Sequence, residues 1–246
     1  MKELYDNYYQ ESLSQSKSQG LTLKSFELIS RKYDWNYRRF FDNIPHDASI
    51  LDIGCGVGQF LFYLKNKGFL NLVGIDISAS QVELAQLTQP NLIFHHISNS
   101  TVWLSEHANK FDIIVMNDVL EHIPLDELVN NLRAAYRALR TGGKIIIKTV
   151  NATYPLGSTA RYTDLTHYHA FTEKSITQLL RHSGFKQINC YQEEIGIYNF
   201  LFLLKKLIVY LVRGFLRLLT YFSESDWPKI ISVNIIAVAK KREEND

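Results

Sequence analysis

Residues 49–150 alternate short apolar runs with helical patterns, and this alternation organises the chain. Ser49–Ile53, Asn71–Ile77, Asn91–Ile97, Phe111–Asn117 and Lys144–Val150 are brief runs rich in Ile, Leu and Val. Such runs suit strands buried on both faces. Between them, Phe60–Lys67, Ser80–Leu87 and Leu125–Leu139 carry helical spacing, the first closed by Gly68 and the last ended by Thr141-Gly142-Gly143. Strands alternating with helices predict a doubly wound α/β fold with a mostly parallel sheet. After the fifth strand, a helix over Ser175–Ser183 stops at Gly184, Phe185–Glu193 is strand-like, and Ile231–Ala239 is a last β-branched run. Two late strands make the sheet seven-stranded and predict an antiparallel hairpin at one edge, enclosing 195–228.

Before this core, Leu23, Phe26, Ile29, Tyr33, Tyr37, Phe40 and Phe41 recur every three or four residues, which predicts an amphipathic helix over 21–44. Residues 1–20 are polar, with Tyr5, Tyr8 and Tyr9 among them, and read as loosely ordered or folded over a ligand. The division is an N-terminal helical cap over 1–45, an α/β core over 46–194 with a long polar loop over 151–172, an amphipathic insertion over 195–228, and a last strand with a charged tail over 229–246.

Composition narrows the function classes. Basic and acidic residues number 27 and 25, a net charge of +2, so nucleic acid is not expected as a partner. Cys55 and Cys190 have no metal-ligand spacing and suit a reducing cytoplasm. The N-terminus has no apolar signal core, and no run is long enough for a spanning helix.

The chemistry concentrates at two places. Leu51-Asp52-Ile53-Gly54-Cys55-Gly56-Val57-Gly58 puts glycines at a strand-to-helix turn, where backbone approaches a ligand without a Cβ in the way. Asp76 ends the second strand, 18 positions after Gly58, where a carboxylate accepts both hydroxyls of a ribose. A glycine turn alone also suits a nicotinamide nucleotide. The second place is the loop 151–172, where Arg161, Tyr162, Asp164 and His167 cluster. Loops at the carboxyl ends of strands carry function.

Four blocks in order, Ile50–Gln59, Val73–Ile77, Phe111–Pro124 and Leu139–Lys144, resemble the class I S-adenosylmethionine (SAM)-dependent methyltransferases. The resemblance spans roughly the first 150 residues. It implies SAM as cofactor and S-adenosylhomocysteine as product. It places Asp52, Gly54, Cys55, Gly56 and Gly58 against the methionine part, Asp76 on the ribose, Ile77 beside the adenine, and Asn117 or Asp118 near the methionine. Many relatives carry Gly-Asp after the third strand, whereas this chain reads His95-His96-Ile97-Ser98, which leaves Ser98 or a backbone group to meet the adenine. The Arg161-to-Phe171 block looks like a subgroup associated with O-methylation of bacterial surface polysaccharides. A similar Thr-His block occurs in ubiquinone-biosynthesis O-methyltransferases.

An alcohol acceptor must lose its proton as the methyl arrives, so a base near neutrality is needed. His167 is the expected base and Asp164 its orienting partner, with Arg161, Tyr162 and His122 on the acceptor. Some related O-methyltransferases hold a metal through a Glu-x-x-Glu-His cluster, for which Asp118, Glu121, His122 and His167 are the matching candidates. But Val-Leu-Glu-His-Ile is widespread in the class without metal, so no metal is expected and Glu121 and His122 are read as pocket wall or helix cap. The leading expectation is O-methylation of a sugar hydroxyl on a surface glycan or glycolipid. The alternatives are a lipophilic, quinone-type phenol or a SAM-binding protein without turnover.

Residues 197–222 are almost wholly apolar and hold no acidic residue. On a helix, with Lys205 at 0°, Arg213, Lys206 and Arg217 fall near about 80°, 100° and 120°. One basic third opposite an apolar remainder predicts a helix at a membrane surface, with Lys and Arg on anionic headgroups. The alternatives are a helix packed on the sheet or in a homodimer interface, its basic groups reaching solvent. The expected location is cytoplasmic, peripheral to the inner face of the membrane, with a small-molecule or lipid-linked acceptor.

Overall fold

The computed structural model describes residues 22–155, 157–222 and 229–242. Tyr5, Tyr8 and Tyr9 lie outside the described residues. In chain order the elements are α1 (Leu23–Phe41), β1 (Ser49–Ile53), α2 (Gln59–Asn66), β2 (Asn71–Asp76), α3 (Ala79–Thr88), β3 (Ile93–His96), α4 (Ser100–Ser105), β4 (Phe111–Asn117), α5 (Leu125–Ala138), β5 (Leu139–Val150), α6 (Gly157–Tyr162), α7 (Glu173–His182), β6 (Lys186–Gln192), α8 (Phe200–Phe222) and β7 (Asn234–Lys240). A short 3₁₀ turn, Leu120–His122, follows β4.

The seven strands form one sheet in the order β3-β2-β1-β4-β5-β7-β6. β7 runs antiparallel to both β5 and β6, so the expected edge hairpin is present and encloses α8. The remaining pairs are parallel. Helices α4, α5 and α7 cover one face, where Leu104, Leu132 and Leu180 pack on Leu51, Ile114 and Ile147. Helices α1, α2 and α3 cover the other, where Tyr37, Phe60 and Val82 pack on Ile50, Ile113 and Ile146. The β1/β4 boundary lies at the centre of the strand order, where the connections switch direction, and ligands bind at such a point.

Three elements differ from the sequence expectation. The Thr141-Gly142-Gly143 stop is part of β5, because its pairing with β4 slips between Phe111 and Ile113 and Gly142 takes a φ of 74°. Helix α4 escaped the pattern, since its six residues are too short to show a helical period. The polar loop after β5 contains α6.

The largest departure is the orientation of α8. Its basic stripe faces the body of the protein. Arg213 is buried: its Nη2 donates to the Glu193 carbonyl at 3.3 Å and its Nη1 lies 3.6 Å from Glu194 Oε2. Lys206 Nζ lies 4.8 Å from the Trp35 ring centre, and Arg217 donates to the Lys229 carbonyl at 2.9 Å. The expectation that all four basic groups meet headgroups or solvent is therefore corrected, with Lys205 alone of them exposed. Periodicity shows which residues share a face, whereas the acidic pair Glu193–Glu194 at the end of β6 decides where the face points.

Candidate functional site

Glycines 54, 56 and 58 all take left-handed φ values, of 71°, 52° and 81°. A Cβ on Gly54 would stand 2.3 Å from Val119 Cγ2, and one on Gly58 2.6 Å from Phe94 Cζ. The loop thus packs too closely for any side chain and leads into α2. Asp76, buried at the end of β2, holds it: Oδ2 accepts the Gly56 N–H and Oδ1 the Ser78 N–H, both at 2.8 Å. Burial raises the Asp76 pKa above the usual carboxylate value, although these N–H bonds pull it down.

Beside the loop lies a cleft of about 210 Å³, lined by Asp52, Gly54, Cys55, Gly56, Asn117 and Asp118 together with Tyr33, Val57, Gln59, Phe60 and Gln81. Two buried polar atoms on its wall have no protein partner, Asp52 Oδ1 and Asn117 Nδ2. The other end of the Asn117 amide accepts from the Tyr37 hydroxyl, which leaves Nδ2 as a free donor. One unpartnered carboxylate oxygen and one unpartnered amide donor match the ammonium and carboxylate of an amino-acid end. Burial, then the nearby Asp76, push the Asp52 pKa well up, so a cationic ligand group would relieve an unfavourable charge. Burial also raises the Cys55 thiol, which stays protonated.

Lys148, on β5, is buried and ion-paired to Asp118 at 2.6 Å. This pairing holds its pKa well above the ordinary lysine value against the opposing effect of burial. Asp118 itself takes a φ of 56°. Sequence reasoning passed over Lys148, though a lone lysine among Ile145, Ile146, Ile147 and Val150 was a visible signal. It also counted Tyr33 and Tyr37 only among the apolar positions of an amphipathic helix.

A second cluster forms where the loop after β5 folds against the 3₁₀ turn. Glu121, His122 and His167 bring ligand-type atoms within 4.8 Å of one another. The ring centres of His122 and His167 are 4.6 Å apart, edge to face. The Thr166 hydroxyl donates to Asp164 Oδ1 at 2.6 Å, so His122 Nδ1–H donates to Thr166 at 2.9 Å. His167 Nδ1 lies 3.2 Å from the Ala160 carbonyl, which only a protonated Nδ1 satisfies. Both rings are therefore held in the tautomer protonated at Nδ1 when neutral. Burial, then His167, lower the His122 pKa, which keeps that imidazole neutral. Glu121 accepts from the Thr149 hydroxyl at 2.9 Å, and burial with the neighbouring Asp118 raises its pKa to about 8.

Several expected roles are corrected. Asp164 does not hydrogen-bond the His167 ring, since its Oδ2 lies 3.8 Å from Nε2 and its Oδ1 binds the Thr166 N–H and hydroxyl. The ring is flanked on both sides, by the Ala160 carbonyl at Nδ1 and by the Asp164 carboxylate 3.8 Å from Nε2. Burial alone would raise the Asp164 pKa, but the two Thr166 hydrogen bonds and the two histidines outweigh it and leave it lowered. Asp118 is drawn to Lys148 and stands outside the Glu121–His122–His167 group, so three of the four metal candidates converge. Arg161 donates to the Tyr168 carbonyl at 2.7 Å and its guanidinium lies over Tyr162, itself exposed. Both pin the loop. Ser98 is exposed in the turn after β3, and neither it nor Ile77 lines the cleft.

The glycine loop, the buried Asp76 that holds it and a cleft with two unpartnered polar atoms thus meet at the carboxyl end of β1, while Asp76, like Ile77 and Ser98, does not line that cleft. A family profile described as a methyltransferase domain matches residues 26–189, and the chain belongs to that family. Over 109 residues it is 29% identical to the ubiquinone biosynthesis O-methyltransferase of Aromatoleum aromaticum, covering 43% of this chain and 45% of that one. It is 30% identical over 170 residues to EEF1A lysine methyltransferase 2 of Danio rerio, covering 62% and 69%. The chain spans less than half the length of the ubiquinone-biosynthesis relative. Among solved structures, a SAM-dependent methyltransferase from Archaeoglobus fulgidus superposes with a TM-score of 0.67 at 19% identity, covering 94% of this chain and 99% of that one. The Haemonchus contortus phosphoethanolamine N-methyltransferase 2 in complex with S-adenosyl-L-methionine gives 0.57 at 19%, covering 87% and 57%. The matched region is a methyltransferase domain, and the chain has the fold of a solved SAM-dependent methyltransferase. The family match sets the nicotinamide alternative aside.

Proposed function

We propose that the chain transfers the SAM methyl group to a hydroxyl on a lipophilic or lipid-linked acceptor. The observation that carries this reading is the pair of imidazoles, ring centres 4.6 Å apart, that the loop after β5 and the 3₁₀ turn bring together, each held at Nδ1. SAM supplies a methyl on a sulfonium, already a strong electrophile. The protein's own work is positioning and proton removal. Asp52 and Asn117 take the amino-acid end and Asp76 the ribose. His167 Nε2 receives the acceptor proton, and His122 lines the acceptor side as a neutral ring. The Thr166–Asp164 chain behind His122 fixes its tautomer.

Two acceptor classes fit. A sugar hydroxyl on a lipid carrier agrees with the Arg161–Phe171 block. A lipophilic phenol is supported by the O-methyltransferase named among the relatives. A relative that methylates lysine and a solved structure that methylates phosphoethanolamine nitrogen set a rival class, amines. Release of S-adenosylhomocysteine should be followed over panels of glycolipid sugars, polyprenylated phenols and amines. Transfer to a hydroxyl panel that rises with the deprotonation of a group near neutrality supports the proposal. Transfer confined to amines would overturn it.

A further inference from the structure

Helix α8 presents an apolar face that nothing in the described protein covers. Leu204, Ile208, Leu211, Phe215, Leu218 and Phe222 are each between 46% and 74% exposed. With Arg213 at 0°, Lys206, Arg217 and Tyr210, which contact Trp35, Lys229 and Glu194, fall within about 60° of it. From Leu203 at about 80° to Val212 at about 260° no position carries a charge. This half-circumference runs the full 23 residues, about 34 Å.

We infer that this face is a bilayer anchor, inserted along the interface by apolar contact and bolted to the enzyme through its basic stripe. A homodimer seam is a narrow stripe of a and d positions flanked by charges at e and g. Here the flanks are Leu and Phe, so a second helix would cover only part of the arc. A polar protein partner would leave the same arc unmatched. Hydrocarbon needs no complementary charge. Tyr198 and Tyr221, both exposed, stand near the two ends of the helix, where aromatic rings with a polar tip suit the headgroup level. The helix is not long and apolar enough to cross a membrane. It lies on the surface with the catalytic body on the water side.

The bolts explain how an anchor serves the site. Glu194, which pairs with Arg213, also receives the Tyr210 hydroxyl, and its backbone N–H donates to Asn36 on α1. Glu193 pairs with Lys32 of the same helix. Between these two α1 positions stands Tyr33, on the wall of the cofactor cleft. The surface that meets lipid is thus one connection away from the cofactor wall. This inference does not depend on which acceptor is methylated.

Vesicle flotation of the full chain tests it, with phosphatidylcholine alone and with added phosphatidylglycerol. The wild type should float with both, and raised salt should leave capture almost unchanged, because of the four basic groups only Lys205 is exposed. The variant Leu204→Glu, Ile208→Glu, Leu211→Glu and Phe215→Glu should lose partitioning by more than about a hundredfold. Calorimetric titration of SAM into that variant should match the wild type, which separates loss of the anchor from loss of the fold or of the methyltransferase reading. A single Phe215→Trp variant gives a second measure: brominated lipid should quench the added fluorescence. Three results would overturn the anchor: no flotation by a SAM-binding wild type, capture stripped by salt, or a lipid-independent dimer that the glutamate variant converts to monomer.

Discussion

Gly54→Ala probes the contact that shapes the cofactor loop. Gly54 has a φ of 71°, and a Cβ there would stand 2.3 Å from Val119 Cγ2. The left-handed backbone costs an L-residue about 1–2 kcal/mol. Val119 packs against the core and, being β-branched, is stiff at χ1. Relieving the overlap therefore needs backbone movement, which adds about 1–3 kcal/mol. The single variant should lose about 2–5 kcal/mol in all. Val119→Ala alone removes two partly buried methyls, roughly 1–2 kcal/mol. In the double variant the steric part disappears while the backbone part stays, so the two changes should couple favourably by at least about 1 kcal/mol. Urea unfolding of all four proteins at a common m value measures this cycle. Additivity within about 0.5 kcal/mol would refute the contact. A Gly54→Ala protein as stable as wild type would refute the strained conformation as well.

Other substitutions separate the roles of the site. Asp52→Asn should raise the melting temperature of the free protein, because a buried and partly unpartnered carboxylate becomes neutral, while SAM affinity falls about tenfold. Equal affinity would remove Asp52 from the ligand. His167→Ala should keep SAM binding in calorimetry and lose about 10²–10⁴ in turnover. An unchanged rate would assign the ring to loop structure. Glu121 gives a pH signature. Its folded pKa of about 8 lies above the ordinary 4.5, so the protonated form favours the fold. That contribution is complete below pH 4.5 and is lost as pH rises through about 8. Chemical denaturation should show the wild type losing stability across that window, by on the order of a few kcal/mol, with Glu121→Gln markedly flatter. Parallel profiles would contradict the burial argument.

The two histidines show why a site is harder to read than a fold. The sequence places His167 in a loop and His122 some 45 residues earlier, each with several neighbours that qualify as partners. Asp164, three positions from His167, looked like its orienting group. In the structure Asp164 turns back on Thr166, two residues on, as Asp side chains do in loops, and a carbonyl of α6 takes the imidazole instead. Thr166, unassigned from sequence, joins His122 to Asp164 because one hydroxyl both donates and accepts.

The order of apolar runs and glycines by itself determined the sheet, its doubly wound helices, the antiparallel edge hairpin and the glycine loop that faces the cofactor. Local spacing suffices there, because strand burial, helix period and left-handed turns are properties of neighbouring residues. The tertiary structure alone decided three things: that Lys148 pairs with Asp118, that Glu121 gathers with two histidines, and that α8 turns Lys206, Arg213 and Arg217 toward the body of the protein. In each case a charged or polar group had several partners within reach of its side chain. The choice fell to burial and to groups distant in sequence, Glu193 and Glu194 for α8 and the β4–β5 pairing for Lys148. An amphipathic period has no sign, and only the body it packs against supplies one.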